Sequence, residues 1–231
     1  MVMKNSHEQQ HLVSVHVSLV LIVLVGGPLS VQADERRMVE NHFNEGREGW
    51  RIYDYNGGKP GGGNVFFSAV WEKNGGVENS GYIWADDSKW RIDTPEEPDS
   101  ILPFIIYRTW VDANALDIRG AKLSLYLRGD ELDLKGAKCL FWAFNRARGT
   151  RCHYQGEPLK VTAGEWGKRQ TIVLKNDKKL WHESWSRTPD KPASLDEVLR
   201  ECDSYGVSFV GFSAEVTGKL AMDELVIEPS P

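Results

Sequence analysis

Two acidic residues in the stretch "DELDLKG", Glu131 and Asp133, are spaced so that they would share one face of a β-strand. Polysaccharide-cleaving jelly-roll enzymes use two carboxyl groups, one as acid and the other as nucleophile or base. A third acidic residue does not follow, since the next three residues are Leu134, Lys135 and Gly136. We interpret Glu131 and Asp133 as solvated turn residues. A hydrolase or lyase remains an alternative, because carboxylates on distant strands can also form a pair.

The histidines give no catalytic motif. Beyond residue 33 the chain contains His42, His153 and His182. None of them lies in a motif typical of a serine or cysteine nucleophile or of a zinc site. The sequence therefore favours binding over catalysis.

Two short stretches carry side chains that suit sugar recognition, in which CH groups pack on aromatic rings and hydroxyls pair with polar groups. In "AKLSLYLRG" the leucines alternate with polar residues, so Tyr126 and Arg128 lie on the face opposite the leucines. The predicted loop "ADDSKWRID" offers Asp87, Trp90 and Arg91. In the alternative interpretation, Tyr126 covers a sheet and Trp90 plugs a loop.

The stretch "LWHESWSR" places Trp181 and Trp185 among polar residues, with no strand or helix pattern around them. Ser184 and Ser186 flank Trp185, and two prolines follow. A stiff loop that holds an indole outward suits ligand contact, because little side-chain entropy is lost on binding. We predict that Trp185 binds ligand. The alternative is that Trp185 lies flat over a neighbouring strand.

The first 33 of the 231 residues have the features of a secretion signal. An uncharged apolar stretch, residues 17–25, precedes "VQA", a small-residue cleavage site that ends at Ala33. This nine-residue stretch is shorter than the roughly 20 apolar residues that a membrane-spanning helix needs. We predict a chain exported to the extracellular space or periplasm, with an uncleaved anchor as the alternative.

Residues 34–231 are of the size of one domain with its own core, which we predict to be a monomer. The net charge of −5 and the lack of a Lys/Arg cluster argue against binding to nucleic acid or to an anionic membrane surface.

The three cysteines are Cys139, Cys152 and Cys202. The stretch "CLFWAFNRARGTRC" reads as a hairpin with Cys139 and Cys152 on its two arms, and an exported chain meets oxidising conditions. We predict a disulfide between these two, although the register is not fixed by sequence.

Short β-like runs separated by turns recur from residue 64 to residue 228. One helix is predicted in "SLDEVLRECDSYG", where Ser194 and Glu197 have capping-box spacing and Gly206 is placed to end it. Its apolar stripe includes Cys202 and Tyr205. Many strands and one helix predict an all-β, antiparallel jelly-roll sandwich with one short helix before the last two strands.

Several of these motifs resemble laminin-B-like (laminin domain IV) modules, which belong to the galactose-binding-like β-sandwiches together with many carbohydrate-binding modules. The motifs are "GREGW", a glycine-rich loop with "GGKPGG", "SGYIWADD", Trp166 entering a strand, the "VL" of the helix and a closing strand with Asp223. The stretch "NVFFSAVWEKNGGVENS" is an insertion relative to that pattern. The resemblance implies the sandwich fold, and it places a single packing tryptophan at Trp181.

The resemblance also implies a structural calcium ion where the first and last strands meet. Calcium takes carboxylate, amide and carbonyl oxygens. Asp223 matches the acidic position of the closing strand, Glu40 is the nearest acidic residue before the first strand, and Asn79 adds an oxygen. The alternative is a surface aspartate that caps a turn.

Together these features predict a secreted, non-catalytic β-sandwich that binds a polysaccharide or another glycan. The alternatives are an extracellular structural or adhesion protein that binds another protein, and a jelly-roll hydrolase or lyase. A row of exposed aromatic rings with a polar rim would favour the glycan, and a flat apolar patch would favour a protein.

Overall fold

The computed structural model describes residues 37–54, 65–90 and 100–230. The predicted secretion signal, the glycine-rich loop at 56–63 and Arg91 lie outside the described residues. All described residues fall within one compact unit, Gln32–Pro231.

Fourteen strands and one α-helix are assigned in the described part of the chain. The strands are β1 (Val39–Asn41), β2 (Arg51–Asp54), β3 (Val65–Ser68), β4 (Val70–Glu72), β5 (Tyr82–Asp86), β6 (Ser100–Tyr107), β7 (Lys122–Asp133), β8 (Lys138–Asn145), β9 (Thr150–Tyr154), β10 (Thr162–Ala163), β11 (Gln170–Val173), β12 (Trp181–Ser186), β13 (Ser204–Val210) and β14 (Thr217–Glu228). The helix is α1 (Leu195–Arg200), and three 3-10 turns occupy Val77–Asn79, Arg108–Val111 and Lys178–Leu180.

The strands form two seven-stranded sheets. The first sheet has the order β10-β7-β14-β5-β4, with β1 on β14 and β11 on β7. The second sheet has the order β12-β9-β8-β13-β6-β2-β3. All pairings are antiparallel except that of β10 with β7 in the described strands. The predicted sandwich, with one short helix before the last two strands, is confirmed.

The inward faces of the two sheets share one large core. Trp50 is fully buried there and packs edge-on against Phe104 and Tyr205, with ring centroids 6.4 and 5.8 Å apart. From the first sheet, the three leucines of "LSLYL" and Ile83 of β5 are buried in the same core. The period-two pattern of the sequence therefore assigns the inward face of β7 correctly.

The capping box at the start of α1 is confirmed. The Ser194 hydroxyl accepts from the Glu197 amide, and the Glu197 carboxylate accepts from the Ser194 amide. The end of the helix is different from the prediction, because α1 ends at Arg200 and Tyr205 and Gly206 belong to β13. Both Cys202 and Tyr205 are buried, so the apolar stripe continues into a strand rather than around a helix.

The run "VFFSAVWE" becomes two strands in different sheets. β3 lies at the edge of the second sheet, and β4 lies at the edge of the first. Ala69, which is buried, separates the two strands and its amide donates to the carbonyl of Trp50. The chain therefore crosses between the layers within one residue.

The predicted disulfide is wrong. The β8–β9 hairpin does form, but its register places Ala143 opposite Cys152. Cys139 lies four residues farther along β8, about 13 Å away at the usual rise per residue, whereas bridged Cα atoms lie within about 7 Å. All three cysteines are buried free thiols. Burial raises their pKa values, to about 12 for Cys152 and Cys202, which keeps these thiols protonated.

Candidate functional site

The outward face of the second sheet carries a second apolar cluster, separate from the core between the sheets. Its buried members are Leu102, Ile105, Trp142 and Phe144. Strand alternation places these side chains opposite the core-facing residues of the same strands. The two partly buried tyrosines packed against them are Tyr53 and Tyr107.

Strand pairing arranges this face in rows across the sheet. One row runs through six strands and contains Arg51, Ile105, Gly206, Trp142, His153 and His182. A second row contains Tyr107, Ser204, Phe144, Arg151 and Trp185. Each row therefore brings together residues that are far apart in the sequence.

Gly206 lies at the middle of the first row, and its missing side chain matters there. A Cβ at this position would collide with the carbonyl of Phe104 and would lie 3.1 Å from Nε1 of Trp142. The Trp142 indole instead donates to the carbonyl of Val207 at 3.2 Å. The missing side chain of Gly206 therefore leaves room for the buried Trp142 indole beside it on this face.

Ring contacts continue from β3 to β12 across this face. The centroid distances are 4.9 Å for Tyr53–Phe66, 5.1 Å for Phe66–Trp110, 4.7 Å for Tyr107–Trp110, 6.3 Å for Tyr107–Phe144 and 6.0 Å for Phe144–Trp185. We call these six residues the aromatic face. Aromatic neighbours at such distances stabilise each other beyond the area they bury.

The two ends of the aromatic face are open to solvent, and its middle is not. Phe66 is 37% exposed and Trp185 is 45% exposed, whereas Phe144 is 8% exposed. The exposed rings lie on the two edge strands, β3 and β12, where no further strand covers them. The face therefore offers exposed ring surface at both edges of the sheet, with the partly buried Tyr53, Tyr107 and Trp110 between them.

Arginine side chains border these rings. The Arg51 guanidinium lies 4.3 Å from the centroid of Trp110, and that of Arg146 lies 5.6 Å from the centroid of Tyr107. Arg151 lies in register between Phe144 and Trp185, and its Nε donates to the Ser184 hydroxyl at 3.0 Å. The apolar surface is thus bordered by planar hydrogen-bond donors.

One carboxylate lies near this border. Asp203 Oδ2 accepts from the amide of Arg146 at 2.8 Å, which holds the turn of the β8–β9 hairpin. Burial raises the pKa of Asp203 to about 6, against the lowering effect of the Arg146 amide and guanidinium. Burial also raises the pKa of the Tyr107 phenol, and Asp203 adds to that effect while three arginines oppose it.

His153 lies in the first row but is not available for acid–base chemistry. It is fully buried, and neither ring nitrogen has a hydrogen-bond partner among the described residues. Burial lowers its pKa well below the ordinary value, and the charges of Arg151 and His182 act in the same direction. The imidazole is therefore neutral at physiological pH.

Trp185 is the one predicted ligand-binding residue that the structure places on the aromatic face. The segment around it is the edge strand β12, not the loop that the sequence predicted. A bulge between Glu183 and Trp185 shifts the register with β9. Trp181 lies on the inward side of the same strand and is buried, so its predicted packing role is confirmed.

Tyr126 and Arg128 lie on the outward face of the first sheet. Arg128 is held between Tyr82 and Trp166, at 5.0 and 4.6 Å from the ring centroids, and pairs with Asp130 at 3.0 Å. The Trp166 indole and Arg128 both donate to the carbonyl of Gly75. This cluster fixes the turn at residues 75–80, and its guanidinium is already occupied.

Trp90 is not a surface ligand contact. It is 2% exposed, packs edge-on against Phe209 at 5.5 Å and donates from Nε1 to the carbonyl of Val216. Its alternative interpretation as a loop plug is correct, because the indole fills the core below its own loop. Asp87 is partly buried and accepts from the amide of Gly218 at 3.3 Å.

The predicted calcium ligands lie on β14, in the turn at residues 75–80 and on β1. Asp223 is fully buried, and its Oδ2 accepts from the amide of Val77 and the hydroxyl of Ser80 at 2.8 and 2.7 Å. Asn79 lies in the same turn and accepts from the amide of Gly75, while Glu40 is exposed on β1 opposite Val226. No group of three or more His, Cys, Asp or Glu side chains suited to a metal occurs among the described residues.

Glu131 and Asp133 are both exposed at the end of β7. Asp133 pairs with Lys135 at 2.5 Å, which lowers its pKa. Both side chains therefore have the solvated surroundings that the sequence predicted.

Five of the six residues of the aromatic face were missed from the sequence: Tyr53, Phe66, Tyr107, Trp110 and Phe144. Each belongs to a strand or turn whose apolar residues are typical of a segment that faces the core. The outward direction of these side chains depends on the strand register. One feature of the sequence did indicate a second apolar face. "FIIYRTWV" and "KCLFWAF" are apolar on both faces, so that some of their large side chains face away from the core.

No family model matches this sequence, and no curated protein matches it. Among solved structures, it is similar to the CBM22-1–GH10 modules of a Clostridium thermocellum endo-1,4-β-D-xylanase complexed with xylohexaose, with 10% identity and a TM-score of 0.43. That match covers 85% of this chain and 29% of the xylanase chain.

Two further similar structures match over nearly their whole length. CtCBM11, studied in solution, has 12% identity and a TM-score of 0.44, over 87% of this chain and 99% of that one. The L4b domain of human laminin α-2 has 10% identity and a TM-score of 0.44, over 84% of this chain and 98% of that one. Both kinds of module that the sequence resembles are thus found among the similar structures.

Proposed function

We propose that this chain is a secreted, non-catalytic module that binds a glycan on the aromatic face. The observation that carries the proposal is the continuous series of ring contacts from Phe66 to Trp185, open at both ends and bordered by arginines. A linear sugar chain presents CH patches at intervals to such rings and its hydroxyls to the border. A polar border of this kind supports a glycan over a flat protein contact.

Pre-organisation also supports this proposal. The rings that form the floor, Trp142 and Phe144, are buried and fixed by the strands, so they lose no freedom when a ligand binds. Among the rings of the aromatic face, the end residues Phe66 and Trp185 are the most exposed and have the most mobility to lose. Rigid sites retain more of the interaction energy as affinity.

A glycan array with residues 34–231 would test the proposal, followed by titration calorimetry on the glycans that bind. We expect Trp185→Ala and Phe66→Ala each to weaken binding tenfold or more while the fold stays intact. Trp84→Ala is the matched control, because Trp84 is a partly exposed indole on the outward face of the other sheet. Equal loss with the control, or no glycan bound at all, would reject the aromatic face as a glycan site.

A further inference from the structure

Arginines gather along the aromatic face, although the whole chain has a net charge of −5. Arg51 and Arg146 lie over Trp110 and Tyr107, two rings that contact each other. Arg151 lies between Phe144 and Trp185 in the same row. A local excess of cations on an acidic protein needs an explanation.

A fourth arginine joins this group from the end of β12. Arg187 Nη2 donates to the carbonyl of Arg146 at 3.5 Å, and its side chain lies against Gly149 of the hairpin turn. The charges of Arg146, Arg151 and Arg187 all act on the Tyr107 phenol and lower its pKa against the effect of burial. The geometry agrees, because Arg146 lies over Tyr107, Arg151 lies in the same row across the sheet and Arg187 contacts Arg146.

Some arginines of the described chain form ion pairs with carboxylates and others do not. Within the described ranges, Arg119, Arg128, Arg148 and Arg200 each pair with one or more carboxylates. Arg51, Arg146 and Arg187 form no ion pair with a described carboxylate, and the same holds for Arg37, Arg47, Arg108 and Arg169. Position distinguishes the first three, because Arg51 and Arg146 lie over rings of the aromatic face and Arg187 lies against Arg146. Arginines that stabilise a surface are typically paired, as those four are, whereas unpaired arginines grouped on a binding face remain free to pair with a ligand.

The carboxylates near this end do not cancel the group. Asp203 is used in the hairpin turn, where it accepts from the Arg146 amide. Glu201 lies near Asp203 and pairs with Arg200 at 3.3 Å. Glu183 lies opposite the core-facing Cys152, and the bulge between Glu183 and Trp185 places the two side chains on opposite sides of β12. Asp203 is therefore the one described carboxylate shown beside Arg146, and it is partly buried.

We propose that the glycan bound by the aromatic face is anionic and carries carboxylate or sulfate groups. The inference rests on the proposed glycan site and specifies its ligand class. The sugar rings stack on Trp110, Tyr107 and Trp185, while the planar guanidinium groups of Arg146 and Arg187 pair with the acidic substituents in the two-donor geometry that suits both oxyanions. Neutral polymers gain stacking and hydroxyl hydrogen bonds at this site, but no ion pair with the guanidinium groups.

Two matched pairs of polymers test the charge directly. Polygalacturonate and its fully methyl-esterified form differ in the free carboxylate, and ι-carrageenan and its chemically desulfated form differ in the sulfate. We expect the charged member of one or both pairs to bind tenfold or more tightly than its neutral partner in titration calorimetry. The pair that shows the difference identifies the acidic group. Added salt should reduce this difference, because it screens exposed charges.

Arginine variants test whether the tighter binding of charged polymers arises at the aromatic face. Arg146→Gln and Arg187→Gln, both at exposed positions, should each weaken the charged polymer threefold or more and weaken any neutral polymer by a smaller factor. Arg169→Gln is the control, since Arg169 is exposed beside β11 of the other sheet. Trp185→Ala should weaken the charged polymer too.

Two results would overturn the inference. Equal binding of both members of each pair, with no effect of the arginine variants, would leave a neutral-glycan site on the aromatic face. A lack of binding to all four polymers would also overturn the inference. The proposed function would then be tested by the glycan array alone.

Discussion

At the scale of single residues, the two tryptophans of β12 have opposite roles in one strand. Trp181 is buried, donates from Nε1 to the carbonyl of Lys175 at 2.8 Å and packs edge-on against Tyr154 at 5.1 Å. Trp185 is 45% exposed and touches Phe144. One belongs to the core and the other to the aromatic face.

Truncation of these two residues should therefore have different effects on stability. We expect Trp181→Ala to lower the free energy of unfolding by about 3–5 kcal/mol, as large-to-small core changes do. Trp185→Ala should cost less than about 1 kcal/mol, because an exposed ring loses little buried area. Denaturant titration measures both. Similar losses for the two variants would show that Trp185 is also part of the folding core.

Asp203 gives a prediction about pH. Its pKa is raised to about 6 in the folded protein, so the folded state holds a proton that the unfolded state has released. Stability from this residue is therefore lost as the pH rises from about 4 to about 6 and stays low above that. We expect Asp203→Asn to raise the melting temperature at about pH 8 and to change it little at about pH 4. If Asp203→Asn instead melts at a lower temperature than the unmutated protein at the higher pH, the raised pKa of Asp203 is contradicted.

At the scale of elements, the turn at residues 75–80 is tied to β14 by Asp223. The carboxylate accepts from Val77, Ser80 and Glu224 and is fully buried. Burial raises its pKa, and those hydrogen bonds oppose the increase. The Arg128–Trp166 cluster holds the same turn from the other side through Gly75. The turn therefore depends on both anchors.

The calcium prediction can be tested at this turn. If Asp223 and Asn79 hold calcium, a chelator should lower the melting temperature and calcium should restore it, because a ligand of the native state stabilises it by mass action. Asp223→Ala should abolish that response and lower the stability in chelator as well, since it removes the turn anchor. An unmutated protein that does not respond to chelator has no such site.

At the scale of the whole molecule, the described residues form one sandwich with different outward faces. The first sheet is covered by internally paired side chains such as Arg128, while the second presents the aromatic face. No helix among the described residues is long and apolar enough to cross a membrane.

Export is the prediction that belongs to this scale. If "VQA" is the cleavage site, the mature protein begins at Asp34. Mass spectrometry of extracellular or periplasmic material should find that terminus. Detection of the protein with Met1 in place would reject the cleaved secretion signal.

The sequence by itself determined the sandwich and much of its core. Alternation in β7 identified the buried leucines, and the capping box located the start of α1, because both signals depend on residues close together in the chain. Local patterns failed where pairing between distant strands decides the outcome. They missed β12 as a strand, assigned Gly206 to a helix end and paired Cys139 with Cys152.

The aromatic face was decided by the tertiary structure alone. Its six rings come from β2, β3, β6, β8, β12 and the 3-10 turn after β6, and sequence spacing does not show that they are neighbours. The tertiary structure also decides which arginines lie beside the rings. The stretch "NRARGTR" has three arginines, and the geometry of the β8–β9 hairpin sets the direction of each side chain. Arg148 turns away to pair with Glu197, while Arg146 and Arg151 lie beside the rings. The physical reason is that a one-residue change of register reverses the face of every side chain in a strand, and the register is set by contacts across the whole sheet.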